Sequence, residues 1–298
     1  MRFSKLQATG NDFILIDARA MEDKNWTELA RAMCDRHFGV GADGLMLVCN
    51  SDIADLKMRL FNSDGSEAEV SGNGLRCFAK FAIERCLSQG RSAGWQPGNH
   101  LLSVETLSGI RTVKTHTSGN KIVSAEVNMG PPRFLPEQIP VKVKADAVPI
   151  SSYPLVVDGQ ELSLFLLSMG NPHAVCFVSQ PVADFPLTSV GPKVENHSIF
   201  PQRTNFEVAR VLNKRMVEAR VWERGVGETM GCGSGACAIA VAGQLLKRVG
   251  SKVDIILPGG TLTVCWDGVA DVLLTGPVEE VFTGEWLGRL SNETSEKT

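Results

Sequence analysis

The chain has 298 residues, of which 43% are hydrophobic and 21% are charged. This composition is typical of a folded globular protein and excludes a chain that is mainly disordered. The net charge of −3 at pH 7, without a Lys/Arg cluster, argues against nucleic acid as a partner. A chain of this length is typical of two domains, each with its own core.

No segment has the pattern of a membrane anchor or an export signal. The longest apolar stretch, 235–246, is about a dozen residues, whereas a helix needs about 20 to cross a bilayer. The sequence MRFSKLQATGNDF lacks the apolar core of a signal peptide, so we expect a cytoplasmic protein without membrane contact. The eight cysteines show neither disulfide-scaffold spacing nor a complete set of metal ligands, so we expect reduced thiols and no metal.

Short apolar runs between Gly, Asn, Asp and Pro turns predict strands along most of the chain. In chain order they are ILID at 14–17, LMLV at 45–48, LKMRLF at 56–61, LLSVET at 101–106, IVSAEV at 122–127, LSLFLL at 162–167, AVCFV at 174–178, FEVARVL at 206–212, KVDIILP at 252–258, TLTVCW at 261–266 and ADVLL at 270–274.

Two segments predict helices. The apolar stripe of 73–86, with helical spacing at Leu75, Phe78, Ala79, Ala82, Ile83 and Cys86, predicts an amphipathic helix with Arg76 and Lys80 off the stripe. Residues 235–246 are apolar on nearly every side, which predicts a helix covered all round.

The sequence is an internal duplication. Gly10-Asn11 matches Gly170-Asn171 at an offset of 160, and 61–67 lies over 222–228 at an offset of 161. At that offset Ser71-Gly72-Asn73-Gly74 falls on Cys232-Gly233-Ser234-Gly235. The repeat predicts an α/β (α+β) fold of two domains related by a pseudo-twofold axis, 1–118 with 275–298 and 119–274. Each would wrap a curved, mostly antiparallel sheet around a central helix, with the active site in the cleft between them.

Each repeat places a small nucleophile or acid, Ser71 or Cys232, directly before a G-x-G turn and a helix. Helix N-termini bind anions, and they lower a thiol pKa from about 8.5, so we expect a reactive Cys232. A single turn of this kind has the alternative explanation that its glycines merely permit close packing of a helix against a sheet. Two copies in register, together with Asn11, Asn62, Asn171 and Asn205, favour a polar pocket. His173 has the alternative of a hydrogen-bonded core histidine.

Six motifs resemble those of the diaminopimelate epimerase family, in order and over nearly the whole chain. They are GNDF at 10–13, RHFGVGADG at 36–44, FNSDGSEAEVSGNGLRC at 61–77, GNPHAV at 170–175, FPQRTNFE at 200–207 and ERGVGETMGCGSGACA at 223–238. The resemblance implies an isomerase without a cofactor that interconverts LL- and meso-diaminopimelate by two-base proton transfer at Cα. Its expected partners are this diamino diacid and a second copy of the chain in a homodimer.

The resemblance also implies the roles of individual residues. Cys232 and the residue at position 71 would be the two acid/base groups, with His173 and Glu223 tuning protonation. Residues that would bind substrate are Asn11, Asn62, Gly72, Asn73, Asn171, Asn205, Glu223, Arg224, Gly233 and Ser234. Arg224 can bind a carboxylate with two hydrogen bonds, which suits the distal end of a diacid.

The sequence departs from the family at Ser71, where the family has cysteine. A serine hydroxyl is a far weaker acid than a thiol. Three interpretations stay open: an engineered Cys→Ser exchange, a natural variant in which Ser71 or a water it holds delivers a proton inefficiently, and a one-base isomerase, racemase or dehydratase for another amino acid. A non-catalytic amino-acid binding protein is a further alternative, against which Cys232, His173 and Glu223 argue.

Overall fold

The computed structural model describes residues 1–22, 24–85, 98–143 and 147–288, which form a mixed α/β fold. The strands are β1 (Arg2–Ala8), β2 (Asn11–Asp17), β3 (Gly44–Cys49), β4 (Leu56–Asn62), β5 (Glu67–Ala68), β6 (His100–Thr106), β7 (Gly109–Ser118), β8 (Lys121–Asn128), β9 (Ile150–Val157), β10 (Gln160–Ser168), β11 (Pro172–Phe177), β12 (Asn205–Asn213), β13 (Met216–Glu223), β14 (Gly227–Thr229), β15 (Lys252–Leu257), β16 (Gly260–Cys265), β17 (Leu273–Pro277) and β18 (Glu279–Glu285). The helices are α1 (Trp26–Cys34), α2 (Gly72–Glu84), α3 (Leu187–Glu195), α4 (Gly233–Leu245) and a 3₁₀ turn at Val182–Asp184.

Two compact units divide the chain, Met1–Val127 with Pro277–Thr298 as unit 1 and Asn128–Gly276 as unit 2. The sequence alone placed the boundaries at 118/119 and 274/275, which would assign all of β8 to the second domain. The contacts assign it to unit 1, since β8 pairs with β7.

The sheets of the two units have the same strand order. In unit 1 the order is β18-β1-β2-β3-β4-β6-β7-β8, and in unit 2 it is β9-β10-β11-β12-β13-β15-β16-β17. In both, the third and fifth pairings are parallel and the others are antiparallel. The mostly antiparallel α/β architecture expected from the sequence is confirmed, and the order supports the duplication.

Helices α2 and α4 lie against the sheets of their own units. Helix α2 contacts β1, β2, β3 and β7, while α4 contacts β10, β11, β12, β15 and β16. Each helix thus meets strands from distant parts of its sheet. In α4 every residue from Gly235 to Gly243 is buried, as its apolar sequence predicted.

The helix predicted over this segment is confirmed, although Arg76 and Lys80, which lie off its apolar stripe, are buried as well, at 0% and 4% exposure. The Arg76 guanidinium donates to Thr9 Oγ1 at 3.1 Å and to Asn73 Oδ1 at 2.9 Å. Lys80 Nζ donates to Glu84 at 2.8 Å and to the Ile122 carbonyl at 2.7 Å. These hydrogen bonds offset the cost of burying two cations. The predicted apolar position Cys86 lies outside the described residues.

The outer face of each sheet carries a shorter helix. Helix α1 contacts β3 and β4, and α3 contacts β12 and β13. Each occupies the connection between two parallel strands, β2 and β3 or β11 and β12. Within the described part of the chain, no helix combines the length and the apolar character needed to cross a membrane.

Candidate active site

Cys232 caps the N-terminus of α4. Its backbone is extended, with φ −110° and ψ 116°, and its Sγ accepts the Gly235 N–H at 3.4 Å. The Ser234 Oγ lies 3.5 Å from the same sulfur. Because the first N–H groups of a helix have no partner inside it, those of Gly233 and Ser234 face the cap region and suit a carboxylate.

Burial raises the pKa of the Cys232 thiol well above its ordinary value. The carboxylates of Glu223 and Glu207 raise it further, while hydrogen bonds from Ser234 and Gly235 lower it. The expectation of a lowered pKa at this helix start is therefore wrong. Desolvation outweighs the helix dipole here, and Cys232 rests as a thiol, which is the form that can deliver a proton.

Ser71 occupies the equivalent position in unit 1. It caps α2 with φ −136° and ψ 125°, and its Oγ accepts the Gly74 N–H at 3.1 Å. Ser71 and Cys232 thus share a backbone conformation and a capping bond at an offset of 161. Gly72 and Gly233 begin the two helices, so both repeats expose backbone donors beside a small polar side chain.

An asparagine amide, at the start of β2 or just before β11, hydrogen-bonds the second residue of each helix. In unit 1, Asn73 Nδ2 donates to Asn11 Oδ1 at 3.3 Å. In unit 2, Asn171 Nδ2 donates to Ser234 Oγ at 3.3 Å. These are equivalent pairs of residues, and each brings together side chains that the sequence assigned to the pocket.

Asp43 is a hydrogen-bond partner of Asn11 in unit 1 that sequence reasoning missed. The Asn11 Nδ2 donates to Asp43 Oδ2 at 2.5 Å, and Arg36 donates to Asp43 Oδ1 at 2.8 Å. Arg36 also binds Asp12, whose pKa burial would raise but hydrogen bonds from Arg36 and Lys5 hold at about 2. The signal was present in the motif at 36–44, which contains both Arg36 and Asp43.

His173 is fully buried and lies between two acceptors. Its Nδ1 is 2.6 Å from Glu207 Oε1, and its Nε2 is 3.0 Å from Asn171 Oδ1. Glu207 is also fully buried, and burial raises the pKa of its carboxyl despite the nearby His173. His173 is therefore a hydrogen-bonded core histidine and at the same time a neighbour of the pocket. Sequence reasoning missed Glu207 because it sits in an ordinary strand pattern.

Asn205, Glu223 and Arg224 lie where β12 and β13 meet. Asn205 Nδ2 donates to the Pro172 carbonyl at 2.8 Å, and its Oδ1 accepts the Arg224 N–H at 2.9 Å. The Glu223 carboxylate accepts the Thr229 hydroxyl, and the Arg224 guanidinium donates to the Gln202 carbonyl at 3.2 Å. Asn205 therefore fixes the backbone that carries the other two side chains.

Asn62 ends β4, and its Nδ2 donates to Ser66 Oγ at 3.0 Å within the turn that leads to β5. The hairpin is tied by two hydrogen bonds from Arg59 to Glu67, at 2.8 and 3.1 Å. Arg220 and Glu228 make the same pair in the β13–β14 hairpin, at 2.7 and 2.9 Å. The duplication thus extends to the ion pairs that hold Asn62 and Glu223 at their strand ends.

Among the described residues, no group of three or more His, Cys, Asp and Glu side chains has an arrangement that could hold a metal ion. Among the described residues, Cys34, Cys49, Cys77, Cys176 and Cys232 form no disulfide. The start of each helix presents backbone hydrogen-bond donors beside a small acidic side chain, Ser71 in unit 1 and Cys232 in unit 2.

The fold and the duplicated helix starts place the chain among two-domain racemases and epimerases. It is similar to the solved structure of a hydroxyproline epimerase from Agrobacterium vitis, with a TM-score of 0.66 and 14% identity. The similarity covers 95% of this chain and 91% of that one, and at this identity it defines the fold.

The chain belongs to the diaminopimelate epimerase family, whose model matches residues 3–135 and 165–281. It is 45% identical over 290 residues to the diaminopimelate epimerase of Moorella thermoacetica, covering 96% of this chain and 99% of the relative. It is 43% identical over 289 residues to that of Carboxydothermus hydrogenoformans, with the same coverage. The expected family is confirmed, and the protein is an isomerase.

Proposed function

We propose that this protein interconverts LL- and meso-diaminopimelate by proton transfer at Cα. The observation that carries the proposal is the equivalent capping of two helices by Ser71 and Cys232, in a chain 45% identical to a diaminopimelate epimerase. The enzyme acts on a small molecule, and the diamino diacid is our assignment. We also propose that the protein is located in the cytoplasm and forms a homodimer.

Inversion at Cα needs a base on one face and an acid on the other. The base takes the Cα proton and leaves a carbanion whose charge spreads onto the carboxylate. The acid then delivers a proton to the opposite face. Backbone N–H groups at the starts of α2 and α4 would stabilise the developing charge, as in other anion sites at helix N-termini.

Cys232 is the group that serves one face. As the thiolate it takes the Cα proton and becomes the thiol, and as the thiol it delivers its proton to Cα and becomes the thiolate. The second face meets Ser71, whose hydroxyl is hardly ionised near neutral pH. We therefore expect exchange of the Cα proton with retention to outpace inversion.

The test is proton NMR of LL- and meso-diaminopimelate in D₂O, which follows Cα exchange and the ratio of isomers together. Ser71→Cys should raise the inversion rate by about 10²–10⁴-fold, the usual contribution of a positioned acid or base. Cys232→Ala should abolish exchange, whereas Cys265→Ser, a matched change away from the helix starts, should leave it unchanged. Absence of exchange and of binding by the wild type and by Ser71→Cys would reject the assignment.

Ser71 itself favours a second candidate, a one-base isomerase or dehydratase for another amino acid. Such an enzyme needs a single thiol to remove and return a proton. In that case the wild type would exchange the Cα proton of its own substrate quickly, and Ser71→Cys would bring no gain. A panel of amino acids in D₂O distinguishes this candidate from the first.

A further inference from the structure

A chain of hydrogen bonds leads from Glu207 to Cys232. Glu207 Oε1 lies 2.6 Å from His173 Nδ1, and His173 Nε2 lies 3.0 Å from Asn171 Oδ1. Asn171 Nδ2 then donates to Ser234 Oγ at 3.3 Å, and that oxygen is 3.5 Å from Cys232 Sγ. Glu207 and His173 are both fully buried. The second carboxylate oxygen of Glu207 is buried without a hydrogen-bond partner among the described residues, so His173 is the group that Glu207 serves.

In unit 1, apolar side chains occupy the positions equivalent to His173 and Glu207. Phe13 and Met46 stand at the positions equivalent to His173 and Glu207, at offsets of 160 and 161. Both are buried, and the strand registers agree, since Phe13 pairs with Gly44 as His173 pairs with Asn205. The fold therefore does not need a polar pair here. Burying a polar pair costs free energy, so its presence in unit 2 indicates that the pair has another role.

The groups that face the two nitrogens of the His173 ring determine the direction of each hydrogen bond. One hydrogen lies in the short bond between Glu207 Oε1 and His173 Nδ1, carried by either atom. Asn171 Oδ1 accepts, so His173 Nε2 must carry a hydrogen. With its carbonyl held by His173, the Asn171 amide turns its NH₂ group toward Ser234.

The equivalent amide in unit 1 has the opposite polarity. There the Asp43 carboxylate accepts from Asn11 Nδ2, and Asn11 turns its carbonyl toward Asn73 on the helix start. The two helix starts thus receive a carbonyl oxygen in unit 1 and an amide NH₂ in unit 2. The residue bonded to the far side of each amide, Asp43 in unit 1 and His173 in unit 2, sets this difference.

We infer that Glu207 is a positioning residue for the Cys232 site, which acts by holding His173 as an Nε2–H donor and thereby orienting Asn171 toward Ser234. Its effect on catalysis rests on the proposed function. With Asn171 donating to Ser234 Oγ, the Ser234 hydroxyl hydrogen is directed to Cys232 Sγ, where it stabilises the thiolate that the reaction needs. Glu207 does not touch the reacting atoms.

The test reads the His173 ring directly, in the full chain labelled with ¹⁵N-histidine. Long-range ¹H–¹⁵N spectra resolve the five histidines, and the His173→Gln variant identifies the signal that belongs to His173. In the wild type we expect Nε2 to carry a hydrogen at pH 7. A wild-type Nε2 without a proton at pH 7 would overturn the inference.

Glu207→Met separates positioning from space filling, because Met46 fills the equivalent space in unit 1. We expect Glu207→Met to give a His173 ring that exchanges between tautomers. Glu207→Gln should keep Nε2 protonated, because its amide can donate to Nδ1. Glu218→Met, which removes a partly buried carboxylate that pairs with Arg210, is the matched control and should leave the His173 signals unchanged.

An unaltered His173 spectrum in Glu207→Met would show that Glu207 only fills space and would overturn the inference. If that variant fails to fold by circular dichroism, the wild-type and Glu207→Gln spectra still decide. In the Ser71→Cys background, Glu207→Met should lower kcat about 10–100-fold, as for other outer groups that orient reactive ligands, and Glu207→Gln should restore most of it. The spectra need no diaminopimelate, so failure of the proposed substrate leaves the NMR result intact.

Discussion

At the scale of single residues, the exchange of a thiol for a hydroxyl separates two roles that one position combines. Ser71 and Cys232 both cap a helix, and the hydroxyl makes the shorter bond, 3.1 Å against 3.4 Å. The thiol is the stronger acid of the two. Position 71 therefore favours helix capping over proton transfer, while Cys232 keeps the acid in a fully buried setting.

Cys232 should react slowly with iodoacetamide at neutral pH, because the thiolate is the nucleophile and burial and two carboxylates raise the thiol pKa. The rate should climb with pH and should not level off below about pH 9, beyond the ordinary thiol pKa of about 8.5. Mass spectrometry of the alkylated peptide measures the rate at each pH. Ser234→Ala should slow the reaction further, because it removes a hydrogen bond that lowers the pKa.

A plateau of the alkylation rate below pH 8 would contradict the raised pKa. Cys176 provides an internal comparison, since burial raises its pKa to about 11 with no carboxylate among the causes.

The raised pKa of Cys232 also has a consequence for the stability of the protein. The native state binds the Cys232 proton more tightly than the unfolded chain does. The contribution of this proton to the free energy of unfolding is therefore complete below the unfolded thiol pKa and is lost as the pH rises above it.

At the scale of elements, the capping bond makes Ser71→Cys a trade between stability and rate. Loss of a good N-cap costs about 0.5–2 kcal/mol when alanine replaces serine. A thiol retains part of the bond, so we expect Ser71→Cys to lower the free energy of unfolding by about 0.5 kcal/mol and Ser71→Ala by about 1 kcal/mol. Urea unfolding followed by circular dichroism measures both.

The matched control for this trade is Ser66→Ala, which removes a hydroxyl from the β4–β5 turn of the same unit and no helix cap. It should leave the helical signal of α2 unchanged. Equal or greater stability of Ser71→Cys would mean that the hydroxyl of Ser71 contributes nothing as a cap. The order of the three proteins, wild type above Ser71→Cys above Ser71→Ala, is the expected result.

The elements that the sequence predicts are those with a strong local pattern. All of the predicted strand segments overlap strands, and both G-x-G turns begin helices. Helices α1 and α3 were not predicted, because their nine residues each give only a short apolar pattern. Strands β1, β9, β13 and β18 were not predicted either. In β13, arginine and glutamate alternate with buried residues on a strand that ion pairs hold to its neighbours.

Long-range partners are what the sequence does not show. Arg76 is buried because it bonds Thr9, 67 residues away, and the carbonyl of Pro277, 201 residues away. His173 meets Glu207, 34 residues away, because β11 and β12 pair in parallel across a connection that contains α3. Local periodicity carries no information about either register. The duplication does, since it relates distant residues by a fixed offset.

At the scale of the whole molecule, the two units differ in how the chain enters them. Both sheets have eight strands in the same order, but the first strand is β9 at the start of unit 2 and β18 at the end of unit 1. Unit 1 is therefore assembled from two separate segments of the chain, whereas unit 2 is a single segment, Asn128–Gly276. This difference leads to an expectation about independent folding.

The fragment 128–276 should fold without the remainder of the chain. It contains all of its own strand pairings from β9 to β16, an apolar cluster around α4 and a second one beneath α3. We expect a single cooperative urea transition by circular dichroism, and Cys232 that is alkylated as slowly as in the full chain. Val241→Asp, which places a charge in the middle of buried α4, is the unfolded control. The folded fragment should not exchange the Cα proton of diaminopimelate, because Asn11, Ser71 and Asn73 are missing. Rapid alkylation or a broad transition would mean that the core of unit 2 depends on unit 1, and exchange of that proton would mean that α4 and its neighbours suffice for the one-base half of the reaction.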